Sequence, residues 1–84
     1  MKVTEVRISK LENPSGSLRA FASVTLDDMV AIHGIRVVEG SNGMFLGFPD
    51  RKRKDGRFVS IVHPINNEAR EEIVNAVLSK YAEA

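Results

Sequence analysis

The 84 residues include twelve Lys or Arg, eleven Asp or Glu and no cysteine, for a formal net charge of +1. That balance excludes a disulfide framework, a thiolate metal site and a uniformly basic histone-like protein. A chain of this length supports one core, so residues 1–84 are expected to form a single domain, one sheet layer packed on a helix or a second copy.

Lys2, Glu5 and Arg7 stand where a signal peptide needs an apolar run, and no apolar stretch reaches bilayer length. A cytoplasmic protein without membrane insertion is expected. Lys2 to Leu11 reads as a strand, with Val6 and Ile8 on one face and Glu5, Arg7 and Ser9 on the other. Asn13-Pro14-Ser15-Gly16 supplies turn chemistry and predicts a hairpin. In Leu18 to Leu26 the alternation is cleaner: Leu18, Ala20, Ala22, Val24 and Leu26 share a face, which predicts a mid-sheet strand whose alanines admit a helix.

Asp27-Asp28 marks the next turn. Met29 to Glu39 is rich in β-branched residues, with Gly34 predicting a bulge or bend. Gly40-Ser41-Asn42-Gly43 predicts a tight reversal, since Asn-Gly takes left-handed backbone readily. Met44 to Phe48 forms the next strand and Pro49 ends its pairing. Asp55-Gly56 turns the chain before a strand from Arg57 to Val62. Pro64 stops ladder pairing, Asn66 is the expected N-cap, and Glu68, Glu71 and Glu72 favour the positive end of a helix dipole. Ile73, Val74, Val77, Leu78 and Tyr81 recur at helical spacing, opposite Glu68, Glu72, Asn75 and Ser79. The fold class is therefore α+β: a small antiparallel sheet of about five strands, with one C-terminal helix packed on it, in a homodimer.

Charge is concentrated between Asp50 and Arg57, where five basic and two acidic residues give a local +3 and leave −2 for the rest. Arg51, Lys52, Arg53, Lys54 and Arg57 on a hairpin would neutralise phosphates with little sequence dependence; the competing reading is a solvated loop. Phe45, Phe48 and Phe58 flank this run, and at least two of them are expected to anchor the core rather than stack on bases. His33 and His63 have no second ligand at metal-binding spacing and read as hydrogen-bonded structural residues. Neither a G-x-S-x-G elbow nor a Gly-rich phosphate loop leads into a helix. No catalytic residue, cofactor or metal is expected, and the protein reads as a non-enzyme.

Several ordered blocks together resemble the SpoVG family, bacterial proteins named for sporulation. They are Lys2-Val3-Thr4-Glu5-Val6-Arg7, Ala22-Ser23-Val24-Thr25-Leu26-Asp27, His33-Gly34-Ile35-Arg36-Val37-Val38-Glu39-Gly40-Ser41-Asn42-Gly43-Met44-Phe45, Phe48-Pro49, Asp55-Gly56 and His63-Pro64-Ile65-Asn66. Ala76-Val77-Leu78 and Tyr81 extend the resemblance to nearly the whole chain. It implies a dimeric regulator that binds DNA or RNA, linked to septation, sporulation and gene expression. The family's basic segment falls on Arg51, Lys52, Arg53 and Lys54, and its preference-tuning helix on Asn66 to Tyr81. Arg57, Arg70 and Lys80 are added here as nucleic-acid contacts.

Two features depart from many members. The loop lacks their Lys-Arg-Thr-Pro sequence, and the sequence ends at Ala84 where they continue into an acidic tail. The loop departure leads to an expectation of altered conformation and affinity, and the missing tail to one of stronger, less selective binding. The alternative reading is an adaptor for division or regulatory proteins that docks through a sheet edge or the outer helix face.

Overall fold

The computed structural model describes residues 1–12 and 16–84. Strands β1 (Val3–Lys10), β2 (Leu18–Leu26), β3 (Val30–Gly40) and β4 (Gly43–Gly47) form an antiparallel sheet in the order β1-β2-β3-β4. Strands β5 (Asp50–Lys52) and β6 (Phe58–Ser60) pair only with each other, and α1 (Asn67–Glu83) follows. Among the described residues the result is six strands in two sheets, rather than about five in one. Proline has no N–H to give a ladder, so β4 stops before Phe48-Pro49 and the chain leaves the main sheet. The strand expected from Arg57 to Val62 shrinks accordingly to the three residues of β6.

Most turn chemistry acts where the sequence places it. Asp27 and Asp28 both adopt positive φ, and the Met29 amide donates to the Leu26 carbonyl at 2.9 Å, closing the β2–β3 hairpin. The chain reverses at Ser41-Asn42, but the positive φ falls on Gly43, at +119°, and not on Asn42. The predicted turn at Asn13-Pro14-Ser15 lies outside the described residues.

Bulges decide which residues face the helix. At Gly34, with φ +81°, β3 spends three steps from Ile32 to Ile35 while β2 spends two from Val24 to Ala22. Ile32 and Ile35 are therefore both buried. An extra residue at Thr4 likewise turns Val3 and Val6 toward the core. A third, at Arg19, corrects the sequence reading of β2. Leu18 pairs with Val38, which pairs with Phe45, placing Leu18 on the uncovered face while Ala20, Ala22 and Val24 stay buried.

The core is one cluster: Ala20, Ala22, Val24, Ile32, Ile35, Val37, Ile73 and Val77. Hiding each of its larger side chains from water stabilises the fold by roughly 1.5–3 kcal/mol. Val74, Leu78 and Tyr81 complete the helix stripe as half-buried neighbours. Asn66 caps α1, its Oδ1 accepting from the Ala69 amide at 2.8 Å. A cap of this kind contributes about 1 kcal/mol.

The helix runs alongside edge strand β1. The Val3 amide donates to Glu72 Oε2 at 2.6 Å, and Lys10 Nζ donates to the Ala84 carbonyl at 2.6 Å while lying over the Tyr81 ring. Glu72, expected on the outer helix face, is thus half-buried and satisfies an edge-strand amide. No helix among the described residues is long and apolar enough to cross a membrane.

Candidate nucleic-acid interface

Leaving the sheet at Pro49, the chain projects β5 and β6 as a short arm with register Asp50↔Ser60, Arg51↔Val59 and Lys52↔Phe58. The Arg53 amide donates to the Arg57 carbonyl at 2.7 Å, extending the ladder by one rung. Gly56, with φ +89°, closes the loop through its amide to the Arg53 carbonyl at 3.0 Å. Asp55 Oδ1 accepts from the Arg57 amide at 3.0 Å, which holds the turn in shape.

Arg51, Lys52, Arg53, Lys54 and Arg57 are all exposed. Among the described residues no ion pair engages the first four. Arg57 Nε lies 3.9 Å from Asp55 Oδ2, a solvent-exposed pair that constrains the guanidinium little. Arg51 through Asp55 line a shallow concavity of about 410 Å³. Four cations and the Asp55 carboxylate line the open concavity, and with Arg57 on the same arm they form a positive field suited to a polyanion.

The arm is tied to the sheet by a residue the sequence reading did not single out. Arg36 stands across from Gly47 on the uncovered face, and its Nη2 reaches the Phe48 carbonyl at 3.4 Å and Asp50 Oδ2 at 3.6 Å. The guanidinium lies so close over Gly47 that a Cβ there would sit 2.9 Å from Nε and Nη2. Glycine at position 47 thus lets Arg36 brace the root of the arm. Gly47→Ala is expected to displace this flexible group, costing up to about 1 kcal/mol because the ion pair is partly exposed. Hydrogen exchange of the Arg53 amide should then accelerate roughly fivefold, with exchange in β2 unchanged.

Neither Arg70 nor Lys80 lines the arm's concavity. Arg70 is exposed near the start of α1, between the acidic Glu68 and Glu71. Lys80 lies about three helical turns further on. It lines a cleft between α1 and β1 and pairs with Glu83 at 3.9 Å. His63 Nδ1 donates to the Pro64 carbonyl at 3.0 Å, the structural use expected of it, whereas His33 is exposed in the β3 bulge.

The aromatic expectation requires correction. Only Phe48 packs against the core; Phe45 is 52% and Phe58 67% exposed. Phe45 shares the uncovered face with Leu18 and Val38, its ring against Gly40, while Phe58 belongs to the arm and has no core to enter.

Comparison with known proteins places this architecture. The family model described as SpoVG matches residues 1–83. A SpoVG protein of Macrococcus caseolyticus is 48% identical over 83 residues, covering 99% of this chain and 71% of its own length. One from Treponema denticola is 44% identical over 81 residues, covering 96% and 86%. One from Caldanaerobacter subterraneus is 44% identical over 84 residues, covering 100% and 91%. The names of all three associate them with septation. With nearly its whole length matched, this chain belongs to the SpoVG family.

Proposed function

We propose that the protein is a non-enzymatic, cytoplasmic nucleic-acid-binding regulator with a role in septation, which grips DNA or RNA phosphates through the β5–β6 arm. The observation that carries this reading is the exposure of Arg51, Lys52, Arg53 and Lys54 without carboxylate partners among the described residues. Cations already neutralised would gain little from a phosphate; these release counterions when one arrives. The relatives' septation names support the cellular context, and regulation through bound DNA or RNA is compatible with it.

The protein works as a homodimer in this reading. Exposed Met29 and Val30 at the β2–β3 turn leave apolar surface that a second copy would cover. Pairing would double the positive field on a molecule of small net charge.

Fluorescence anisotropy of a labelled generic duplex and a labelled RNA at low salt tests the reading, with light scattering on the same samples. Binding of both and a mass of two chains are expected. If neither nucleic acid binds, while pull-down partners survive nuclease treatment, the adaptor reading replaces it.

A further inference from the structure

The two faces of the arm differ in chemistry. Directly paired residues share a face in an antiparallel ladder, so Lys52 and Phe58 lie together on one side and Arg51 and Val59 on the other. The rung from the Arg53 amide to the Arg57 carbonyl continues the alternation, bringing Arg53 and Arg57 to the side of Arg51. One face thus carries three guanidinium groups. The other carries an aromatic ring with an ammonium directly across from it.

Phe58 is 67% exposed although burial would stabilise it, and its nearest cross-strand neighbour is a cation. A second copy docking this ring would bring two sets of five basic side chains together, which like-charge repulsion opposes. A nucleotide satisfies both neighbours, with an apolar π face for the ring and a phosphate for the ammonium. Within a duplex the base faces are already stacked on one another, so only an unpaired base can use the ring.

We infer that Phe58 and Lys52 form a subsite for one unpaired nucleobase and its phosphate, making single-stranded nucleic acid the preferred ligand of the arm. The inference rests on the nucleic-acid reading above. The arginine face serves the phosphates of single strand and duplex alike; the Phe58 face adds affinity for the single strand alone.

The test measures anisotropy of labelled oligothymidine and of a labelled duplex at one salt concentration. Phe58→Ala and Phe58→Leu are each expected to weaken oligothymidine binding about tenfold and duplex binding less than about twofold, since leucine keeps the bulk and loses the stacking face. Phe58→Trp places a lone tryptophan in a chain that has none. Its emission should be quenched by oligothymidine and not by the duplex. Equal losses on the two ligands, or emission indifferent to oligothymidine, would overturn the subsite while leaving phosphate binding by the arm intact. So would a Phe58→Ala protein of half the mass, which would make the ring an inter-copy contact. Failure of the unaltered protein to bind either ligand would remove the nucleic-acid reading and the subsite with it.

Discussion

Changing Arg51, Lys52, Arg53 and Lys54 together to alanine is expected to lower duplex affinity about a thousandfold at roughly 0.1 M salt. Each phosphate contact contributes about 0.9 to the slope of log affinity on log salt, so four contacts amount to between three and four powers of ten at that concentration. All four side chains are exposed on the arm and outside the core cluster, so the variant should keep its circular dichroism spectrum and melting temperature. Arg57 would remain, partly engaged by Asp55, and leave weak residual binding. A folded variant that loses less than about tenfold would mean that phosphates are held elsewhere, on the sheet or on α1.

The second large effect concerns stability. Ile35 is fully buried at the start of the β3 segment that follows the bulge, directly across from Ala22. Ile35→Ala removes core volume that small neighbours cannot refill, and should cost about 2–5 kcal/mol. A domain of this size is stabilised by roughly 4–13 kcal/mol in total, so the urea midpoint should fall by a large fraction of its value. Leu18→Ala is the informative companion: both residues are apolar strand positions, but Leu18 lies on the uncovered face, where truncation should cost under about 1 kcal/mol. Equal losses at the two positions would contradict a core confined to the helix side of the sheet.

These two residues also show what the sequence carries and what it hides. Strand alternation, the Asp27-Asp28 turn, the Gly34 bulge, the Asp55-Gly56 loop and the Asn66 cap are all legible, because each rests on a residue type with a local backbone or hydrogen-bonding preference. The bulges at Thr4 and Arg19 carry no such marker. One unannounced extra residue inverts the face of everything beyond it, and that is how Leu18 was assigned to the core.

Phe58 is misread for a related reason. Four apolar residues in five, Phe58, Val59, Ile61 and Val62, look like an inner strand, and only the tertiary step at Pro49, where the chain leaves the sheet, strips Phe58 of a core to enter. The basic run itself is plain in the sequence, and its solvation is the structural addition. The brace from Arg36 over Gly47 to Asp50 is not visible at all, since it depends on the β3–β4 register across the Ser41-Asn42 turn and on the step at Pro49.

The most direct measurement is the salt dependence of duplex binding by the unaltered protein, set beside that of the protein with alanine at positions 51 to 54. If the arm's cations hold phosphates, log affinity will fall linearly with log salt, and the slope will be shallower by between three and four in the variant. Parallel slopes, or an affinity indifferent to salt, would contradict phosphate recognition by the arm.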